Sequence, residues 1–265
     1  MEAQYIDYDE TRCFSSVVTR LLARDEKLKP FINQFPDLKS FENIIKQRNF
    51  TGNRAQLVDV LKYQYQYTSI SASISQNIDA LKSENTFTVT TGHQLNIFTG
   101  PLYFIFKIVS AINLAKDLNK QFPDYNFVPI YWMATEDHDF EEINYFKLEG
   151  KKYQWNSDQR GAVGDFELDK SFAEFLKLVS FAPDFFKEAY QSSVKLSEAV
   201  RKYVHHLFGE KGLLIVDGND AALKKIFVPV IQEDLFQHTP QVLADTQTKK
   251  LEELGYKSQI FPREI

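Results

Sequence analysis

Thr86-Phe87-Thr88-Val89-Thr90-Thr91 opens the stretch that decides the fold, and it alternates polar and apolar side chains as a β-strand does. A polar turn follows, Gly92-His93-Gln94-Leu95-Asn96, and then an apolar run from Leu102 to about Leu118. A second short apolar run, Phe127 to Ala134, ends in Glu136-Asp137-His138-Asp139. Strand, turn, helix and strand in this order predict a βαβ unit, in which two parallel strands are joined by a right-handed crossover.

The helix of this unit is predicted to begin at Thr99-Gly100-Pro101. Thr99 can cap a helix, and Pro101 suits its first turn because the missing N–H would have no partner there. The following residues are apolar on nearly every side, apart from a polar stripe at three-residue spacing: Lys107, Ser110, Asn113 and Lys116. We therefore expect a mostly buried helix that covers a parallel sheet.

Both polar clusters of the unit come directly after a strand. In sheets of this kind, ligands bind beyond the carboxyl ends of the strands. We therefore expect Gly92–Asn96 and Glu136–Asp139 to lie side by side in one cleft. Asp217-Gly218-Asn219-Asp220 follows another short apolar strand and would either border the same cleft or cap the next helix.

The first cluster, with the helix start, is suited to anions. Backbone N–H groups at Thr99 and Gly100 would point out of a helix start, where the dipole favours negative charge. His93 could donate to a phosphate or to a developing oxyanion. The alternative is structural, with His93 only holding the turn in place.

The second cluster, Glu136-Asp137-His138-Asp139, is strongly negative and could hold an ammonium group. His138 and a neighbouring aspartate could instead deprotonate an attacking amine. Histidine with carboxylates also suits several divalent metals, but the spacing matches no specific metal motif and no metal ligand is predicted. The structural alternative is a helix cap, with Asp139 as the N-cap and Glu142 three residues on.

Composition describes an ordinary globular protein: 265 residues, 43% hydrophobic and 25% charged. The formal charge of −5 argues against a nucleic-acid surface, which usually needs a basic face. Cys13 is the only cysteine, so no disulfide can form within the chain. The sequence has no signal-peptide pattern and no apolar run of membrane-spanning length, so we expect a cytoplasmic protein without a membrane segment.

The rest of the chain is predicted to alternate helices with short strands. Helices are expected at residues 9–29, 38–48, 53–81, 171–179, 183–208, 221–236 and 242–254. A hairpin is expected at 145–155, with strands 145–148 and 153–155, and further strands at 212–216 and 256–261. We predict four segments: N-terminal helices (1–84), the first part of the core (85–144), a connecting insert (145–208) and the second part of the core (209–265).

Four motifs carry a resemblance to a known family. They are Thr-Gly-His-Gln (91–94), Thr-Gly-Pro-Leu-Tyr (99–103), Pro-Ile-Tyr-Trp (129–132) and Glu-Asp-His-Asp-Phe-Glu-Glu-Ile-Asn (136–144). Together they resemble the cysteine ligase family of bacillithiol biosynthesis. The similarity runs through the whole chain but covers what corresponds to the amino-terminal half of the family.

The resemblance implies a fold, an activity and partners. The fold is a Rossmann-like α/β fold of the nucleotidyltransferase type, with a parallel sheet, flanking helices and an inserted hairpin and helical segment. The activity is a carbon–nitrogen ligase reaction that adds cysteine to glucosaminyl malate, with ATP as the suspected cofactor. In the family, the second half contains a coiled coil that pairs two chains, so a homodimer is expected when that half is present.

The resemblance also suggests roles for the two clusters. Three residues would be catalytic: His93, Asp137 and His138. Seven would bind substrate or nucleotide: Gly92, Gln94, Asn96, Thr99, Gly100, Glu136 and Asp139. Other hypotheses are a nucleotidyltransferase-type enzyme that acts on another small substrate, and a non-catalytic fragment that binds a ligand or a partner.

Overall fold

Helices and strands alternate through the chain, and the computed structural model describes residues 4–48, 50 and 52–257. In chain order the elements are α1 (Tyr8–Thr11), α2 (Ser16–Leu22), α3 (Ser40–Gln47), α4 (Arg54–Gln64), α5 (Ala72–Ala80), β1 (Thr86–His93), α6 (Tyr103–Gln121), β2 (Asn126–Met133), α7 (Phe140–Ile143), β3 (Tyr145–Leu148), β4 (Lys151–Gln154), α8 (Lys170–Leu178), α9 (Asp184–Gln191), α10 (Leu196–Phe208), β5 (Leu214–Asp217), α11 (Ala221–Gln237) and α12 (Thr239–Glu253). Short 3-10 turns cover Glu26–Phe31, Ile97–Thr99, Val163–Asp165 and Gly209–Lys211.

Three parallel strands form the central sheet, in the order β1-β2-β5. The predicted α/β fold with a parallel, Rossmann-like sheet is thereby confirmed. The register pairs His93 with Met133, and Met133 with Asp217. The last residues of the three strands therefore stand in one row at the carboxyl end of the sheet.

Helix α6 connects β1 to β2 and packs against both strands. The Phe104 ring meets the Tyr131 ring edge-on, with centroids 5.4 Å apart. The expectation of a mostly buried helix was wrong, because the sheet covers only one side of it. On the other side Leu102, Phe106 and Val109 are exposed.

The outer edge of β5 is closed by side chains. The Ile215 N–H donates to the Tyr65 hydroxyl at 2.8 Å, and the Ile215 carbonyl accepts from the Arg201 guanidinium at 2.9 Å. Tyr65 directly follows α4, and Arg201 lies on α10. These two bonds satisfy edge groups that would otherwise lack a backbone partner.

The inserted hairpin is confirmed as β3 and β4, which pair antiparallel. Its second strand begins at Lys151, two residues before the predicted start, because the turn contains only Glu149 and Gly150. Both turn residues have positive φ, 50° and 78°, as tight two-residue hairpin turns require.

Three long predicted helices are interrupted. Residues 9–29 form α1, α2 and the start of a 3-10 turn, because Arg12 and Arg24 adopt the left-handed conformation at φ 55° and 58°. Residues 53–81 form α4 and α5, separated by a serine-containing segment in which Ser71 caps α5. Residues 183–208 form α9 and α10. The strand predicted at 256–261 lies largely outside the described residues.

The chain divides into two compact units. Residues 52–226 form one unit, which contains the sheet and every predicted site residue. The other comprises residues 1–51 and 227–265; its described part includes α1 to α3, α12 and an ion pair of Arg24 with Asp37 at 2.7 Å. The predicted four-segment division stays a prediction. No helix in the described part of the chain is both long enough and apolar enough to cross a membrane.

Candidate active site

Gln94 joins the two polar clusters at the carboxyl end of the sheet. Its Nε2 atom donates to Asp137 Oδ2 at 2.9 Å and to Glu142 Oε2 at 2.7 Å. Gln94 directly follows β1, whereas both carboxylates come after β2. The structure therefore brings the His93–Gln94 turn and the acidic run together at the carboxyl edge of the sheet, which we call the rim.

His93 is the last residue of β1 and is only 8% exposed. Its ring lies against the first turn of α6, with centroids 5.1 Å from Tyr103 and 5.2 Å from Phe104. Burial lowers the pKa of the His93 imidazole, although its contact with the Gln94 carbonyl opposes this and Lys107 adds to it. The ring is therefore neutral at neutral pH, and one of its two nitrogens carries a proton.

The hydrogen bonds of His93 leave one ring nitrogen free. Nδ1 lies 3.1 Å from both the Asn96 amide nitrogen and the Gln94 carbonyl oxygen. Asn96 donating to Nδ1 places the ring proton on Nε2, whereas a bond from Nδ1–H to the Gln94 carbonyl leaves Nε2 as an acceptor, so each tautomer has a partner for Nδ1. Nε2 is buried and has no hydrogen-bond partner among the described residues. A buried, unpaired ring nitrogen is a polar group that a hydrogen-bonding ligand atom could satisfy.

A pH dependence follows from this buried imidazole. The unfolded histidine takes up a proton near pH 6.5, whereas folded His93 does so only at lower pH. The free energy of unfolding should therefore fall as the pH drops below 6.5, by at most about 1.4 kcal/mol per pH unit from this residue. Urea unfolding at about pH 7.5 and about pH 5.5 should show that the free energy of unfolding falls more between these two pH values in the wild type than in His93→Gln. An equal fall in the two proteins would contradict the lowered pKa of His93.

Gly100 positions Asn96, and through it His93. Asn96 is 4% exposed, and a Cβ atom at Gly100 would lie 2.5 Å from its Cβ. Gly100 also has φ of +58°, a conformation that favours glycine.

The expected helix start at Thr99 and Gly100 was wrong. Thr99 ends a 3-10 turn with φ of +68°, and the Gly100 N–H donates to the Ile97 carbonyl at 3.0 Å. Helix α6 begins only at Tyr103, and no side chain caps it. Thr99 and Gly100 therefore shape the turn, and the Gly100 N–H is not a free anion donor.

Gly100→Ala should destabilise the protein by more than about 2 kcal/mol, because it adds a clash with Asn96 to the strain of a left-handed alanine. Gly150→Ala is the matched control, since Gly150 has φ of +78° and a Cβ atom placed there would meet nothing within 4 Å. Urea unfolding of both variants isolates the clash. Equal losses would show that Gly100 does not hold Asn96.

Asp137 is a carboxylate held in its charged form. Burial raises its pKa, but the hydrogen bonds from Gln94 and from the backbone N–H groups of His138 and Asp139 outweigh burial and lower it overall. The charged group has one oxygen toward Gln94 and the other toward the following backbone. This arrangement suits the binding of a cation better than the removal of a proton.

The other members of the acidic run are more open to solvent. His138 has an 81% exposed side chain, with Nδ1 3.8 Å from Asp137 Oδ1 and Nε2 3.7 Å from Asp139 Oδ1. Ligand atoms of Asp137, His138 and Asp139 lie within 4.8 Å of one another and could hold a divalent metal. Glu136 is exposed.

The helix cap considered for Asp139 and Glu142 is confirmed in position only, since Asp139 is the N-cap residue of α7. Asp139 precedes α7 but makes no side-chain cap bond. Glu142 instead accepts from Gln94. Glu142 is therefore a second carboxylate at the rim. Its spacing in the sequence had suggested only a role in a helix cap.

Several residues at the rim were missed by sequence reasoning. Lys107, part of the polar stripe of α6, donates to the Gly92 carbonyl at 2.5 Å, and Gly92 itself is exposed. The Gly164 N–H donates to the Thr135 carbonyl at 3.0 Å, where a Cβ atom at Gly164 would lie 2.6 Å from Thr135 Cβ. The lone glycine of residues 162–168 was the available signal of this close approach.

The run Asp217–Asp220 at the end of β5 takes both of the roles predicted for it. Asp217 accepts a short hydrogen bond from the Thr135 hydroxyl and therefore borders the rim. Asp220 accepts from the N–H groups of Ala222 and Leu223, at 2.8 and 3.2 Å, and caps α11.

The sequence profile described as "Bacillithiol biosynthesis BshC, N-terminal Rossmann-like domain" matches residues 1–265. A protein of Flavobacterium johnsoniae named "Putative cysteine ligase BshC" is 44% identical over 100% of this chain and 52% of its own length. Proteins with the same name from Cytophaga hutchinsonii and Bacillus mycoides are 43% and 32% identical, over 98% and 80% of this chain and 50% and 42% of their own lengths. The chain thus spans about half the length of the curated relatives it matches. It belongs to the BshC family of bacillithiol biosynthesis and corresponds to the N-terminal Rossmann-like domain of that family.

Proposed function

We propose that this chain supplies the active-site rim of a ligase that joins the carboxyl group of cysteine to the amino group of glucosaminyl malate. The name of the relatives, cysteine ligase, supports the cysteine half of this proposal. The observation that carries it is the Gln94 bridge, which ties Asp137 and Glu142 to the residue that follows His93. One rim thereby offers a negative site for an amine and a neutral donor for an oxygen.

The acidic side of the rim binds the amine. A glucosamine amino group is an ammonium ion at neutral pH, and Asp137 with Glu142 provides two carboxylates for it. Before it attacks, the ammonium must lose one proton. His138 lies 3.8 Å from Asp137 and is exposed, so it can accept that proton and pass it to solvent.

The His93 side stabilises the carbonyl oxygen. When the amine attacks the activated cysteine carboxyl, the C–N bond forms and the carbonyl electron pair moves onto oxygen. The buried Nε2–H of His93 can donate to this oxyanion, as preorganised donors do in acyl transfer. The nitrogen, now positively charged, loses its second proton to solvent; the oxyanion then collapses and the activating group leaves with its bonding pair, giving the amide.

Activation of the carboxylate requires a co-substrate, and we propose ATP. The fit is partial. His93 and the nearby Lys107 suit a single anionic oxygen, whereas Thr99 and Gly100 do not form the predicted anion-binding helix start. The binding of the nucleotide is therefore assigned to no further residue.

The test is mass spectrometry of the chain with cysteine, glucosaminyl malate and ATP, with each compound omitted in turn. A full-length family member serves as the positive control, because the relatives are about twice as long. We expect the cysteinyl amide of glucosaminyl malate in the full-length protein, and its loss when any one compound is omitted. An adenylated product of another substrate would favour the nucleotidyltransferase hypothesis. Ligand binding without any product, in both proteins, would favour a non-catalytic role.

A further inference from the structure

Arg201 is a buried charge at the outer edge of β5. It lies on α10 and is only 9% exposed. Burial lowers the pKa of its guanidinium, while Tyr65 and Asp217 act in the opposite direction. None of the ion pairs within 4.0 Å in the described part of the chain includes Arg201. The Tyr65 ring, with its centroid 5.2 Å from the guanidinium carbon, offsets part of the cost of burying this charge, but no anion among the described residues forms an ion pair with it.

The hydrogen bonds of Arg201 do not explain why a charge is present. One nitrogen donates to the Ile215 carbonyl at 2.9 Å and the other to Gln64 Oε1 at 2.8 Å. Both acceptors are neutral. The adjacent Ile215 N–H is satisfied by the uncharged Tyr65 hydroxyl, so closing the edge of β5 does not need a cation. Arginine has five N–H donors, and these two bonds leave others available.

A cavity of about 400 Å³ lies beside Arg201, within the range of small-molecule sites. Its lining includes Gln64, Thr68, Ser197, Arg201 and Asp217. Since Asp217 ends β5, the cavity opens at the carboxyl side of the sheet, where ligands bind in folds of this type.

The other charged groups of the cavity already have partners. Asp217 accepts from the Thr135 hydroxyl and from the Asn219 N–H. Glu198 accepts from the N–H groups of Val194 and Lys195, and Lys202 donates to the Ser192 carbonyl and hydroxyl. Within the described part of the chain, Arg201 and Lys202 both donate only to neutral acceptors, and of these two lining cations Arg201 is the buried one.

We propose that this cavity binds a carboxylate or phosphate group, which pairs with the free side of the Arg201 guanidinium. The planar fork of an arginine matches the two oxygens of either group. Ser197 and Thr68 add hydroxyl groups to the lining. The site lies outside the residues assigned to amide formation, so it can exist whichever reaction the protein performs.

The test is isothermal titration calorimetry of the full chain with malate, inorganic phosphate and pyrophosphate. Comparing malate with the two phosphates shows whether the cavity binds a carboxylate or a phosphate group. We expect at least one of them to bind with a Kd of about 1 mM or tighter. Arg201→Lys should weaken that binding at least about 10-fold, because an ammonium cannot make two parallel bonds. Lys177→Met, at an exposed lysine of α8, should bind as the wild type does.

Ser197→Tyr is the second variant, since it fills the cavity without touching the hydrogen bonds of Arg201. It should abolish anion binding with an unchanged melting temperature, and it decides the matter if Arg201→Lys does not fold. No binding of any of the three anions to the wild type at about 10 mM would overturn the proposal. Unchanged affinity in folded Arg201→Lys or Ser197→Tyr would overturn it as well.

Discussion

His93→Ala should lower kcat for amide formation by about 10²–10³-fold, the usual loss when one oxyanion donor is removed. The proposed donor is the buried Nε2, which has no partner among the described residues and carries the ring proton when Asn96 donates to Nδ1. His93→Gln should recover part of the activity, because a glutamine amide can place an N–H near the position of Nε2. The measurement is steady-state kinetics in a full-length family member that carries the corresponding changes.

Two controls separate catalysis from folding in this experiment. His206→Ala changes an exposed histidine of α10 that stacks on Phe185, with centroids 4.5 Å apart, and it should keep wild-type kcat. Melting temperatures of all variants show whether His93 only holds its turn. If Ala and Gln at position 93 lose the same activity and the same stability, the structural role is the correct one.

Asp137→Asn should raise KM for the amine-bearing substrate and lower kcat/KM by about 10- to 100-fold. Hydrogen bonds to charged groups contribute about 1.5–3 kcal/mol, and 1.4 kcal/mol is a factor of ten. Asparagine keeps the shape of the side chain and an acceptor for the N–H groups of His138 and Asp139, but it removes the charge that an ammonium needs. KM for cysteine should change little.

Glu174→Gln is the matched control for this substitution, since it neutralises an exposed carboxylate on α8. It should leave both KM values unchanged. A drop in kcat alone for Asp137→Asn, with KM for the amine unaffected, would argue that Asp137 acts in proton removal and not in binding. Wild-type kinetics would remove Asp137 from the site.

The central part of the fold follows from local sequence pattern. Alternation of polar and apolar side chains at residues 86–91 and the short apolar run before Glu136 are strong signals. Side chains that face the same way recur at a shorter period in a strand than in a helix. The rule that parallel strands end at one edge then places Gln94 and Asp137 together. Their direct contact at 2.9 Å is in line with that reasoning.

The helix start failed for a physical reason. Thr99, Gly100 and Pro101 have the residue types of a helix cap, but Phe98, Thr99 and Gly100 all take positive φ. This conformation is imposed by tertiary contacts: Phe98 packs among aromatic rings that include Phe146, Phe186 and Tyr190. Local propensity contains no information about such distant partners.

The same limit applies to side chains whose partner is far along the chain. Glu142 is 48 residues from Gln94, and Arg201 is 137 residues from Gln64. The sequence suggested Glu142 as part of a helix cap and gave no reason to single out Arg201. Only the tertiary packing, which brings α7 to Gln94 and α10 to β5, gives each of them its role.

The row formed by His93, Met133 and Asp217 also sets a length scale. Neighbouring strands in a sheet lie about 4.8 Å apart, so the first and last members of the row are separated by about 10 Å. A compound that reached both would have to be stretched out, with one functional group near each end. A molecule the size of cysteine alone would cover only half of that distance, whereas a sugar with an acid attached could cover all of it.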